Sequence, residues 1–150
     1  MAIKNQKGAS AVEFAIVAPL LFLLFLGICE FGLLWYNSQV IINGSREGAR
    51  VGIVQWEHPP PPPGGTPYTD NEVRTLKINP TVQNYCSARL VTFGTNNPPT
   101  VVSTWASRSF QQDVSVQVTY NYSFLVPSLF GLGTTKILNA QTVMKMEAVS

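Results

Sequence analysis

From Phe14 to Ser45 the chain runs for 32 residues with one charge, Glu30, although the full 150 residues carry 18 charged side chains. A stretch this apolar and this long restricts the fold more than anything else in the sequence. The charge-free part, Phe14 to Cys29, is 16 residues, and continuation through Glu30 to Tyr36 makes 23. A membrane-crossing helix needs roughly 17–25 such residues. Lys4 and Lys7 precede the run and no basic residue follows until Arg46. Positive charge stays on the cytoplasmic side, so the expected topology is N-terminus in, with the remaining hundred or so residues outside. Trp35 and Tyr36 sit where an outer aromatic belt belongs.

A cleaved secretory signal is the competing reading. Its apolar core spans about 7–15 residues and ends on a small-residue A-x-A site. Here the run is longer, a carboxylate stands at its start and no A-x-A pattern follows, so the segment is expected to be retained.

The rest of the composition excludes several functions. A net charge of +2 is too weak for a phosphate-reading surface, so no nucleic acid is expected. One His and two Cys, Cys29 and Cys86, lack the paired spacing of a zinc site, and no metal or cofactor is expected. No catalytic residues are assigned: His58 abuts a proline run, and there is neither a nucleophile elbow nor a phosphate loop. Asp70 and Glu72 read as helix-start acids. Cys29 in the apolar run and Cys86 in the outer domain are expected to remain unpaired thiols.

An acid at the edge of a bilayer helix needs a reason, because a buried carboxylate is costly unless it is paired or reaches the interface. Glu13 could simply sit at the cytoplasmic interface, near the positive end of the helix dipole. Its surroundings offer more. Lys7-Gly8-Ala9-Ser10-Ala11-Val12-Glu13-Phe14 resembles the class III signal of type IV pilins and pseudopilins, and Gly8 to Pro19 (GASAVEFAIVAP) resembles the TadE-like minor pseudopilins of tight-adherence (Tad, or Flp) pilus systems. Gly48-Ala49-Arg50 is similar to that family's glycine- and arginine-containing segment. Asp113 to Glu147, more loosely, is similar to its last two strands, while Gln55 to Ala106 has no counterpart.

The resemblance implies cleavage between Gly8 and Ala9 by a prepilin peptidase. Glu13 and Phe14 would then take part in subunit pairing, with Glu13 meeting the new α-amine of a neighbouring subunit. It implies further partners: other minor pseudopilins, the major Flp pilin, the inner-membrane assembly platform and membrane lipid. It implies a structural role, not an enzyme, and a single-pass location in the inner membrane. A membrane-anchored periplasmic binding or sensor domain is the alternative. From Ala9 onward the chain has 8 basic and 8 acidic side chains, so the whole surplus of +2 lies in the expected leader.

The expected fold class is α+β: a long transmembrane and stem helix followed by a small pilin-like domain with an antiparallel sheet. The expected boundaries are leader 1–8, helix 9–54, Pro/Gly-rich loop 55–69 and extracytoplasmic domain 70–150. Pro19 is expected to kink the helix by removing one backbone bond. Gly44, Gly48 and Gly52, four apart, align as a small-residue packing face. Arg46, Glu47 and Arg50 pair on the solvent side. Glu30 is expected within reach of the outer headgroups. Pro59 to Pro63 suits a stiff polyproline spacer. Asn79 with Pro80 is expected to start a short helix carrying Val82, Tyr85, Cys86, Arg89 and Leu90. Val101 to Trp105 reads as a short strand. Val114, Val116, Val118, Tyr120, Tyr122 and Phe124 alternate with polar residues, so one face of that strand is buried. Ile137 to Glu147 is its expected antiparallel partner, with Leu138, Ala140, Met144 and Met146 on one face.

Overall fold

The structure is a computed structural model describing residues 6–55, 67–92, 97–107, 109–125 and 133–146. His58, the Pro59–Pro63 run and Pro127 lie outside the described residues, as do the first five positions of the expected leader. Helix α1 spans Gln6–Gly52, 47 residues without a break, and carries Pro19 in its interior. At 1.5 Å per residue it is about 70 Å long, more than twice a bilayer core of about 30 Å.

The domain beyond it begins with a helical arm. Helix α2 (Asp70–Glu72) runs into a π-helical turn (Val73–Ile78) and on into α3 (Asn79–Ser87). Strand β1 (Thr100–Trp105), β2 (Asp113–Ser123) and β3 (Thr135–Lys145) form one antiparallel sheet in the order β1-β2-β3. The α+β architecture of a long apolar helix and a small antiparallel-sheet domain is thus observed.

The sheet follows from the alternation in β2. Val114, Val116, Val118, Tyr120 and Tyr122 are all buried, and the intervening residues face outward or lie half-covered. Val118 stands opposite Val101 on one side and Ala140 on the other. On β3, Leu138 and Ala140 share the buried face, with Met146 just past the strand end.

The helical arm starts at Asp70, at the expected helix-start acids, and runs on through the separate start expected at Asn79. Thr69 is the N-cap of a capping box: its hydroxyl accepts from the Glu72 amide, and the Glu72 carboxylate accepts from the Thr69 amide at 2.8 Å. Glu72 therefore has the helix-start role expected of it. Asn79 does not cap the helix. It has helical backbone angles, and its N–H reaches Arg74 O, five residues back. The wide turn offers a physical reason: Pro80 has no N–H with which to continue an α-helical ladder, and a π-turn accommodates that gap without ending the helix.

The core forms where three elements converge on the second half of α1. A Cβ added at Gly48 would lie 2.5 Å from Val82 of α3 and 3.2 Å from Val116 of β2. Only glycine lets the arm and the sheet approach the same turn of the stem this closely.

Candidate functional site: a stem helix divided in two

Helix α1 has two halves with different surroundings. Between Gly8 and Cys29 every residue is exposed except Ala18, which is half-buried. Phe14, Ile16 and Leu20 are each about two-thirds or more exposed. From Glu30 to Gly52 one face is covered by the domain. Glu30, Asn37, Val40, Ile41, Ser45 and Ala49 are buried there, with Leu33, Leu34 and Ile42 partly covered beside them. The spacing of three, four and seven is that of a single helical stripe. Phe31 and Trp35 lie on the uncovered side of the same turns, their rings 6.4 Å apart.

Three polar side chains join the stem to the domain. Glu30 is 6% exposed and does not reach out to headgroups, contrary to the sequence expectation. Its Oε1 accepts from the Tyr122 hydroxyl at 2.7 Å, and both its oxygens accept from the Leu125 amide at 3.2 Å. Phe124 meets the Tyr122 ring edge-on at 5.4 Å and contributes an apolar wall. Burial, and the hydrogen bond to Glu30, push the Tyr122 phenol well above its ordinary range. Sequence reasoning missed this contact because Tyr122 is 92 residues away.

Two turns further on, Asn37 donates to Val91 O at 2.7 Å and accepts from Val91 N at 2.9 Å. Both backbone polar groups of one residue beyond α3 are satisfied by this amide, which is fully buried. Ser45 donates to Ile42 O at 2.8 Å and lies 2.7 Å from the Thr142 hydroxyl of β3. With its single proton committed, Ser45 accepts from Thr142. Carboxylate, amide and hydroxyl thus hold the arm, β2 and β3 to one stripe of helix.

The glycines extend that stripe. Gly44 faces Cys86, Tyr85 and Val82, and Gly52 faces Ile78 and Val114. These contacts lie within one chain. On the solvent side Arg50 makes two hydrogen bonds to Glu47, at 2.6 and 3.1 Å, as the spacing suggested. That bonding holds the Glu47 carboxyl below its usual range and raises the Arg50 guanidinium. Arg74 stacks on Trp105 at 4.3 Å and Arg89 on Tyr85 at 4.1 Å.

The other residues singled out in the sequence lie elsewhere. Gly8, Ala9, Glu13 and Phe14 are exposed at the beginning of the bare half, and Pro19 follows within it. Phe14 and Gly44 are 30 residues apart on a continuous helix, or about 45 Å. The N-terminal group and the glycine stripe therefore cannot form one site within a chain. Cys29 is exposed, Cys86 is buried, and both are free thiols. Among the described residues no three His, Cys, Asp or Glu side chains come together as a metal site would need.

The bare half is long and apolar enough to cross a membrane. Its 22 residues, Gly8 to Cys29, amount to about 33 Å, close to the thickness of the hydrocarbon core. Such a rod is left with its apolar side chains in water unless lipid or other helices cover it.

Comparison with protein families gives a match to the family of TadE-like proteins over residues 8–50. The match covers the bare half and most of the docked stripe, and ends before the domain's helical arm. No curated protein and no solved structure matches the chain. The family points to a component associated with the Tad pilus.

Proposed function

We propose that this chain, TadE-like over residues 8–50, works as a minor pseudopilin: a structural and assembly component of a Tad (Flp) pilus or its secretion machinery. The observation that carries the reading is the division of α1. Its second half has one face covered by the chain's own domain, whereas the first half presents apolar side chains all round. In this reading the first half crosses the inner membrane with its N-terminus inside, and later packs against other subunits. The 70–150 domain remains outside.

Leader removal between Gly8 and Ala9 fits the same scheme. Gly8 is exposed, so the peptide bond after it is not covered by the domain. Cleavage would place a new α-amine four residues before Glu13, about 6 Å along a helix. In a packed bundle, Glu13 of one subunit and the amine of its neighbour would neutralise one another in a low-dielectric setting. A charge pair of this kind fixes axial register between helices whose remaining contacts are unspecific apolar ones. Phe14, next to Glu13 and fully open, would pack across the same contact.

Co-expression with a prepilin peptidase followed by intact-mass measurement tests the processing. The expected product begins at Ala9; an unprocessed chain overturns it. Glu13→Ala should be cleaved normally yet enter pili poorly, and normal incorporation would refute the charge pair.

A further inference from the structure

We propose that the lower rim of the sheet domain, at Phe124 and Leu125 just past the end of β2, dips into the outer leaflet of the membrane beside α1. The inference rests on the reading in which α1 crosses that membrane with its N-terminus inside.

The sheet runs alongside the stem and points towards the bilayer. Gly52 of α1 faces Val114, Gly48 faces Val116 and Glu30 meets Tyr122, so progress along β2 is descent along α1 towards its N-terminus. The uncovered side of the stem shows where lipid begins. Phe31, Trp35 and Tyr36 are exposed there, whereas the exposed residues that follow, Gln39, Asn43, Arg46 and Arg50, are polar. Trp and Tyr collect at headgroup level, which puts Tyr36 near the outer headgroups. Glu30 lies six residues before Tyr36, or about 9 Å deeper. The interfacial layer on each side of a bilayer is about 5–8 Å thick, so Glu30 stands at or beneath the outer edge of the hydrocarbon. Helical side chains tilt towards the N-terminus, which carries its carboxylate deeper still.

Whatever touches that carboxylate shares its depth. The Leu125 amide donates to both of its oxygens at 3.2 Å and the Tyr122 hydroxyl to one at 2.7 Å. A carboxylate facing lipid is costly, and these contacts leave Glu30 only 6% exposed. The Leu125 side chain, by contrast, is 41% exposed, an apolar group presented at a level where lipid replaces water. Lys136, directly across from Tyr122 and exposed, stands higher on the sheet, within reach of the headgroups for a long side chain with a charged end.

The test uses the full chain in lipid nanodiscs, with a nitroxide attached to Leu125→Cys in a Cys29→Ser background, Cys86 being buried. Collision rates with oxygen, which concentrates in lipid, and with a water-soluble nickel chelate report depth. Native Cys29, exposed on the bare half, is the lipid reference, and Gln117→Cys, eight residues back along β2 or about 26 Å, is the aqueous one. The oxygen-to-nickel ratio at Leu125→Cys should lie closer to the Cys29 value than to the Gln117→Cys value. Thr134→Cys reads the same level if Leu125→Cys does not fold, since Thr134 O accepts from the Phe124 amide at 3.0 Å. A water-like ratio at the rim beside a lipid-like Cys29 overturns the proposal and leaves the membrane crossing standing; a water-like Cys29 overturns both. A rim label reached by neither collider, as contact with a second copy would leave it, also overturns the proposal.

Discussion

Glu30 and Tyr122, 92 residues apart in sequence, meet at 2.7 Å where the end of the sheet touches the stem helix. This contact marks where the bare half of α1 stops: below it the helix has no intrachain cover, and above it every second or third residue is packed. A hydrogen bond to a charged acceptor contributes about 1.5–3 kcal/mol, so Tyr122→Phe should destabilise the domain by about that amount. Glu30→Leu, which also strands the Leu125 amide, should cost more. Thermal unfolding of both variants in detergent, followed by near-UV circular dichroism, measures the difference. Equal stability of Tyr122→Phe and the parent chain would show that the contact is energetically idle.

The same pair gives a pH dependence. The folded-state phenol titrates above the ordinary value of 10, because burial and the Glu30 carboxylate disfavour its anion. A raised pKa of this kind contributes stability that is fully present below pH 10 and lost as pH rises beyond it. Ultraviolet titration at the phenolate band should show Tyr122 ionising late, together with unfolding. In Tyr122→Phe the late step should be missing.

Asn37 should behave as a clamp. Its amide satisfies both the N–H and the C=O of Val91, and in Asn37→Ala both are left without that partner. The expected loss is roughly 1–3 kcal/mol. Amide hydrogen exchange at Val91 should accelerate by more than the average of the domain. Asn37→Asp keeps the acceptor for the Val91 N–H and removes only the donor, so exchange there should remain slower than in Asn37→Ala.

Much of the fold was legible because β2 obeys a period of two, and a strand buried on one face shows its pattern locally. The stem was harder to read. Glu30, Asn37 and Ser45 stand within the same apolar run that a membrane helix needs, and their partners Tyr122, Val91 and Thr142 are distant in sequence. The signal was their spacing of seven and eight, which puts three polar groups on one stripe. The start of the arm was written locally in the acids Asp70 and Glu72, but Asn79 and Pro80 suggested a separate helix start that the π-turn instead bridges. At the N-terminus no element of the domain touches Glu13, so sequence pattern remains the basis of its assignment.

Glycine replacement should change sign along α1. Alanine favours a helix by up to about 1 kcal/mol over glycine where space allows. At Gly27 and Gly32 a Cβ meets nothing within 4 Å, so alanine there should leave the domain as stable as before or slightly more so. At Gly48 the new methyl would collide with Val82 and crowd Val116, and overpacking of this kind costs about 1–3 kcal/mol. Gly48→Ala should therefore lower the thermal midpoint. Gly44→Ala meets mainly the Cys86 sulfur at 2.8 Å, a side-chain end on one neighbour, and should cost less than Gly48→Ala. A stabilising Gly48→Ala would contradict the convergence of α1, α3 and β2 at that turn.

Cys86 reports on the same packing from the other side. It is fully buried on α3, and desolvation pushes its thiol from 9.0 up to about 11, the nearby Arg89 opposing only in part. The thiolate is the reactive form, so at pH 8 native Cys86 should resist maleimide while the unfolded chain reacts. The raised value makes this thiol a source of stability below pH 9 that is lost as pH climbs through about 11. Cys86→Ala removes that titration but leaves a small cavity beside Gly44, so it should be less stable than the parent at pH 7 and fall less steeply between pH 9 and 11. Parallel thermal melts across that interval, with mass-spectrometric counting of labelled thiols, separate the two effects; rapid labelling of native Cys86 at pH 8 would refute its burial against the stem.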